Sequence, residues 1–278
     1  TGGSSGIGRA AAIKIAAAGA RTIIVARKQE ELDSARAEIE ASGGICHTYS
    51  ADIAEIEECD KLIERVLAEH GPLDILINNA GRSIRRSVAL SYDRFHDFER
   101  TMQLNYFGAL RLILGFLPAM TERRRGHIIN ISSIGVLANS PRFSAYVASK
   151  SALDAFSHCA QGEFSDLGIA FTTINMPLVR TAMIGPTKMY DSVPTLSPEE
   201  AADMIVAAII KRPSRIATRL GVFSAVLNSV APKAYEVVMN TAYNLFPDSA
   251  AAKGMKGRDE KPSNEQVAFA SLMRGVHW

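Results

Sequence analysis

The sequence predicts an α/β fold: one doubly wound parallel sheet in a single large domain, with a helical extension at its C-terminal end. Three observations predict it. Short runs of buried-type strand residues alternate with amphipathic helical periods along most of the chain, the pattern of successive βαβ units. A glycine-rich stretch, residues 1–8, opens directly into a helical pattern. The chain has 278 residues, 47% hydrophobic and 22% charged, so one sizeable core is affordable without a second domain.

The elements follow in order. Helical spacing succeeds the first glycines, with Ile7, Ala11, Ile15 and Ala18 on one side. Residues 22–26 read as a fully buried strand and 31–41 as a charged helix. A short strand over 45–49 precedes an amphipathic helix marked by Ile56, Ile63, Val66 and Leu67. Residues 73–77 and 127–131 are further strands, separated by a long helical stretch over about 91–122. A helix over about 143–167 leads into a strand over 169–175. Ser197-Pro198-Glu199-Glu200 starts a helix, with Ser as N-cap, Pro at the first position and acids in the first turn.

After Arg212-Pro213 the pattern changes. Residues 215–220 suit a last strand, and 222–245 are apolar at helical spacing, broken by Pro232 into two helices. A charged connector containing Gly and Pro covers 253–265, and the last residues are weakly helical. The main domain is therefore drawn at 1–212, with 213–278 an extension packed on it. A phosphate-binding turn ordinarily follows a buried strand, yet none precedes Thr1. The chain is expected to be cut from a longer one whose first strand comes before Thr1.

A net charge of +2 is too small to suggest nucleic acid or a membrane surface. The cluster Arg123-Arg124-Arg125 fits the end of a helix, where positive charge is welcome. Cys46, Cys59 and Cys159 are widely spaced, which makes a poor disulfide framework and a poor zinc site. No metal is expected, and a cytoplasmic location is. No unbroken apolar stretch reads as long enough to span a bilayer.

Thr1-Gly2-Gly3-Ser4-Ser5-Gly6-Ile7-Gly8 places glycines where a strand should turn into a helix. Glycine permits positive φ, and its missing side chain lets backbone approach a pyrophosphate at the helix N-terminus. Gly2, Ser4, Ser5, Gly6 and Ile7 are the cofactor-facing candidates; a simple tight turn is the plainer alternative. Arg27 directly follows the second strand, where an acid would bind the ribose hydroxyls of NAD. A cation there suits the 2′-phosphate of NADP, helped by Lys28, or else starts a solvated helix. Asp52, with Ile53 beside it, ends the third strand, placed to accept the adenine amino hydrogen and to cap the next helix with Glu55. Asn78-Asn79-Ala80-Gly81 ends the fourth strand, with small residues Asn79, Ala80 and Gly81 where a cofactor ring would lie.

Tyr146 and Lys150 stand four residues apart, on one helix face. A tyrosine is a poor acid–base group at neutral pH, and a nearby lysine cation is expected to lower its pKa into a useful range. Ser133, at a strand end, is placed to bind a carbonyl oxygen. Asn105 lies on a helix where it can hold a water for proton relay. A bare Tyr-x-x-x-Lys pair is common; the set of four in this order after a glycine turn is not.

With these pieces on the page, residues 1 to about 210 resemble the short-chain dehydrogenase/reductase family, which has a Rossmann-type sheet. The resemblance implies that Tyr146 is the general acid or base, that Lys150 also holds the nicotinamide ribose, that Ser133 polarises the substrate oxygen and that Asn105 supports the relay. It also implies contacts to the nicotinamide carboxamide from Val179 and Thr181, with Pro177 among the cofactor-binding residues, although Leu178 stands where the family usually has glycine.

Further stretches resemble one subgroup, the bacterial fatty acyl-CoA reductases of wax ester synthesis. They are residues 78–86, 95–105, 131–139, 194–202 and 244–247. This resemblance implies reduction of a long-chain fatty acyl-CoA to a fatty aldehyde by NADPH. No acyl-cysteine is needed, and Cys159 is expected to pack in a helix. Val136, Leu137, Met183 and Ile184, with Phe223, Val226, Leu227 and Val230 of the tail, are candidates for an acyl trough; core or dimer packing is an equal alternative for the tail. Arg82, Arg85, Arg86 and Arg180 are placed either for CoA phosphates or for structural roles. A homo-oligomer is expected from the family, and contact of the tail with a membrane surface is an open option. Within enzymes, the competing reading is an NADPH-dependent aldehyde, ketone or 3-ketoacyl reductase using the same four residues. Outside enzymes it is an NADP-binding scaffold without turnover.

Overall fold

The computed structural model of the protein describes residues 1–185, 195–249, 252–254 and 263. All described strands are parallel. β1 (Arg21–Ala26) pairs with β2 (Ile45–Ser50); β3 (Ile75–Asn78), β4 (Gly126–Ser133), β5 (Ile169–Met176) and β6 (Arg215–Ala217) pair in that order. The strand order therefore runs outward in opposite directions from β1 and from β3. Thr1 and Gly2 bridge the two groups: the Gly2 N–H donates to the Val25 carbonyl at 2.8 Å and the Thr1 amino group to the Ile77 carbonyl at 2.9 Å. Such a reversal is where open α/β sheets bind ligands, outside the carboxyl ends of their strands.

β4 has no solvent face, which is why it reads as a continuous apolar run. Ile128 and Ile129 are both fully buried, on opposite faces. On one face lie α3 (Ile56–His70), α5 (Ala109–Glu122) and α7 (Ser144–Phe164), bringing Leu62, Leu112, Phe116 and Leu153 against Ile128 and Phe171. On the other, α1 (Gly6–Ala17) and α8 (Pro198–Lys211) bring Ala10, Ala11, Ala202 and Ile205 against Ile129 and Ile174. α2 (Gln29–Ala41) closes a smaller cluster with Leu32, Ala35, Ile39 and Ile24. The capping box expected at Ser197 forms, with Ser197 and Glu200 each accepting the other's backbone N–H.

Several expectations are corrected. The long stretch over 91–122 is not one regular helix: between α4 (Phe95–Met102) and α5, residues Gln103–Gly108 wind as a π turn. Here a methyl on Gly108 would come within 2.0 Å of the Ile53 carbonyl, so only glycine lets this turn lie against the strand 2 exit. The combined run Phe95–Glu122 is long and apolar enough to cross a membrane by length and composition, contrary to the sequence reading. Its apolar residues Leu112, Ile113, Phe116 and Met120 are buried in the core, which accounts for its composition. The last strand stops at Ala217, because Thr218 accepts the Gly221 N–H at 3.2 Å and starts α9 (Arg219–Val230). Cys159 is exposed, lying off the buried stripe of Leu153, Ser157 and Ala160 on α7, while Cys46 and Cys59 are buried. Pro194, most of the expected 253–265 connector and the weakly helical end lie outside the described residues.

Pro232 opens α10 (Pro232–Leu245), so the apolar tail does form two helices. α9 lies on α6 (Ile134–Ala138) at Gly221, where a methyl would sit 2.9 Å from Leu137. The Tyr235 hydroxyl donates to the Ala138 carbonyl at 2.5 Å. Arg142 lies 3.8 Å over the Tyr243 ring and pairs with Asp248 at 3.3 Å.

Candidate active site

Three strand ends meet at one edge of the sheet. Parallel register sets Asn78 beside Asn130, and Ser133 beside Met176. A buried ladder fixes this edge: Asn78 donates to Asn130 at 2.9 Å, and Asn130 to Ser157 on α7 at 2.8 Å. Polar side chains that deep must be paired, and the pairing locks α7 against β3 and β4.

Lys150 is 3% exposed, and its ammonium donates to the Ile131 carbonyl at 2.7 Å. Burial pulls its pKa from 10.5 down to about 8. Tyr146, one helical turn earlier and partly buried, is hydrogen-bonded to Ser133. Ser133 also accepts the Gly135 N–H at 3.1 Å, which caps α6 and fixes the hydroxyl at the strand end. The sequence expectation for Tyr146 is corrected here: burial raises the phenol's pKa, and the Ser133 hydrogen bond only partly opposes this. The lysine cation is turned to the Ile131 carbonyl instead. A neutral phenol is a proton donor, the form that carbonyl reduction requires.

Asn105 is 1% exposed and sits in the π turn. Its side chain accepts the Arg82 N–H at 2.8 Å and donates to the Arg82 carbonyl and to Ser149, both at 2.9 Å. Ser149 in turn donates to the Tyr146 carbonyl at 2.7 Å. The Asn105 side chain is thus a strut between the loop after β3 and α7, and π turns of this kind mark functional positions. Gly81 completes the group: a methyl there would lie 3.2 Å from Asn105 Oδ1 and 3.3 Å from Lys150 Nζ. Asn105, Ser133, Tyr146, Lys150 and Gly81 are therefore brought together, as the sequence reading required.

The glycine turn is equally specific. Gly2 and Gly6 have φ of 64° and 51°, backbone that side chains disfavour. A methyl on Gly8 would fall 2.2 Å from the Gly2 carbonyl. Asn79 pins the turn, donating to the Thr1 carbonyl at 2.9 Å, while the Asn79 and Ala80 N–H groups donate to Thr1 Oγ1 at 3.0 Å. No side chain caps α1 at Ser5, so its first amides and its dipole face outward. That arrangement fits a pyrophosphate. Thr181 reaches the turn, with its Cγ2 3.2 Å from a methyl built on Gly6. Pro177 and Val179 are buried beside it, the latter through a bridge to Leu196.

Arg27 and Asp52 line one cleft of about 260 Å³, with Nη1 and Oδ2 3.7 Å apart. Asp52 does not cap α3 as expected. Glu55 is the N-cap, and Asp52 Oδ1 accepts the Ala54 N–H at 3.0 Å. Lys28 pairs with Glu31 at 2.8 Å, and Glu31 also accepts the Ser4 hydroxyl at 3.1 Å. Ile53 does not line the cleft; it is buried in the core cluster. Arg82, offered from the sequence for CoA phosphates or a structural role, lines this cleft instead, and sequence reasoning missed Arg100, Gln103 and Leu104, which line it from the same distant part of the chain.

Of the arginines offered for CoA phosphates, Arg85 and Arg86 hold the extension instead. Arg85 donates to the Phe246 and Pro247 carbonyls, and Arg86 to Ala252 at 2.7 Å. Arg180 is exposed. Of the trough candidates, Leu137 is buried, whereas Met183, Phe223, Val226 and Val230 are exposed, so α9 turns these three outward.

A family model described as short chain dehydrogenase matches residues 1–190. A fatty acyl-CoA reductase of Acinetobacter baylyi is 56% identical over 278 residues, covering 100% of this chain and 93% of the relative. A short-chain dehydrogenase crystal structure from Streptomyces avermitilis superposes with a TM-score of 0.73 at 30% identity, covering 87% of this chain and 97% of that one. A metagenomic short-chain oxidoreductase in complex with NADP gives a TM-score of 0.66 at 28% identity, covering 77% and 92%.

Proposed function

The chain belongs to the short chain dehydrogenase family, and from that premise we propose that it reduces long-chain fatty acyl-CoA thioesters to fatty aldehydes with NADPH. The observation that carries the substrate class is the 56% identity, over the whole chain, to a protein named a fatty acyl-CoA reductase. The chemistry is supported by the Ser133–Tyr146–Lys150–Asn105 group at the sheet edge.

The turn over residues 1–8 fits a dinucleotide pyrophosphate, because Gly8 lets α1 pack directly against the Gly2 carbonyl and α1 offers uncapped amides. NADPH supplies a hydride when bound. Arg27 holds the 2′-phosphate, and Asp52 accepts from the adenine. Val179 and Thr181 orient the carboxamide, and Lys150 holds the nicotinamide ribose.

Ser133 and Tyr146 donate hydrogen bonds to the thioester oxygen and stabilise the negative charge that grows on it. Tyr146 passes its phenolic proton to that oxygen, giving a hemithioacetal. Asn105, fixed by Arg82 and Ser149, holds the π turn that carries the relay toward Lys150. Tyr146 takes the proton back as the hemithioacetal collapses, the C–S bond breaks and CoA leaves as the thiol after protonation. The overall balance consumes one NADPH and one proton per acyl-CoA and releases one aldehyde, one CoA thiol and one NADP+.

The test is product analysis. A long-chain acyl-CoA and NADPH should yield the fatty aldehyde, and Tyr146→Phe should lower the rate by about 10²–10⁴ with an unchanged thermal melt. Turnover of aldehydes or ketones without any reaction of acyl-CoA would reject the thioester reading.

A further inference from the structure

The cleft beside Asp52 carries more positive charge than the cofactor contacts above use. Three arginines, Arg27, Arg82 and Arg100, line it with two acidic residues, Asp52 and Glu55. Asp52 is already engaged through the Ala54 N–H, and its other oxygen stands beyond hydrogen-bond distance from Arg27. Among the described residues Arg82 has no ion pair. Arg100 pairs with Asp97, which is 2% exposed, but that carboxylate is shared with Arg86 at 3.4 Å and Arg94 at 3.5 Å. One carboxylate cannot neutralise three cations, and of these three arginines Arg100 also lines the cleft.

Both added arginines are also held from behind. The Arg82 backbone is bonded on both its N–H and its carbonyl by Asn105, and Arg100 is tethered at its tip by buried Asp97. A cation placed at low entropic cost in a half-enclosed cleft is a built anion site. A guanidinium fork matches the oxygens of a phosphate in a way that an ammonium does not.

We infer that Arg82 and Arg100 join Arg27 in binding a phosphomonoester on an adenosine ribose, and so set the preference of the site for NADPH over NADH. This rests on the NADPH reading above. CoA carries the same chemistry as a ribose 3′-phosphate. The position of Arg27 at the exit of β1, next to the glycine turn, assigns the cleft to the 2′-phosphate of the cofactor.

Calorimetric titration of the protein with 2′,5′-ADP, 3′,5′-ADP and 5′-AMP tests it, using wild type, Arg82→Gln and Arg100→Gln. The wild type should bind 2′,5′-ADP about tenfold more tightly than either other nucleotide, and each variant should lose about fivefold or more for 2′,5′-ADP with 5′-AMP changed by less than about twofold. Arg82→Gln removes no ion pair, so it reports on the site even if Arg100→Gln unfolds; thermal melts identify that case. Variants that bind 2′,5′-ADP like the wild type overturn the inference. A loss confined to 3′,5′-ADP overturns it as well, giving the cleft to CoA. A wild-type protein that binds 2′,5′-ADP no better than 5′-AMP refutes the NADPH reading itself, before any variant is compared.

Discussion

Replacing Lys150 with Met should make the cofactor-free protein more stable at neutral pH while abolishing its activity. Lys150 is 3% exposed, and its ammonium donates to the Ile131 carbonyl. Its pKa falls from 10.5 in the unfolded chain to about 8 in the fold. At about 1.36 kcal/mol per pH unit, that difference costs the folded state roughly 3 kcal/mol wherever both states are protonated. A lowered lysine pKa gives the full penalty below pH 8; it shrinks as pH rises from 8 to 10.5 and is gone above. Met replaces the lysine stem without its charge, but leaves the Ile131 carbonyl without this donor, a loss of about 1–2 kcal/mol. The net expectation is a variant about 1–2 kcal/mol more stable than wild type at pH 7, and less stable by up to about 1 kcal/mol near pH 10, where part of the penalty remains. Urea unfolding of both proteins at the two pH values measures it, and other titrating groups cancel in the comparison. A stability gap that is the same at both pH values would refute the claim that this lysine is buried at a cost, as functional ionisable groups often are.

Three further expectations can be checked together. The rate at limiting substrate should fall above a pH of about 8 as free Lys150 loses its proton, and Lys150→Arg should move that fall upward in any residual activity. Gly8→Ala forces a methyl to 2.2 Å from the Gly2 carbonyl; it should weaken NADPH binding at least about tenfold, measured by fluorescence titration, because the turn must open. Ser149→Ala leaves Asn105 without one partner; denaturant unfolding should show a loss of about 1–2 kcal/mol, and kcat should fall more than KM for NADPH rises.

Much of the fold was legible because its signals are local. The run around Ile128 and Ile129 reads as a two-face strand, and Ser197 with Glu200 reads as a helix start, from neighbours alone. The same holds for Gly2, Gly6 and Gly8, whose spacing is itself the turn, and for Tyr146 and Lys150, which share a helix face. What failed depends on distant contacts. The π turn is set by the approach of Gly108 to Ile53, more than fifty residues away, so periodicity alone reads straight through it. The direction of the Tyr146 shift is set by burial of the phenol, which depends on how distant elements pack around it. Arg82 and Arg100 reach the Arg27 cleft only through the sheet's topology. Cys159 and Phe223 are apolar residues whose helices present them outward, and composition cannot report a helix's rotation.

The central claim is thioester reduction, and the most direct measurement follows NADPH absorbance and free thiol together during reaction with palmitoyl-CoA. The account requires one CoA thiol released for each NADPH oxidised, with both signals lost in Tyr146→Phe. NADPH oxidation without thiol release, or thiol release that continues without NADPH, would contradict it.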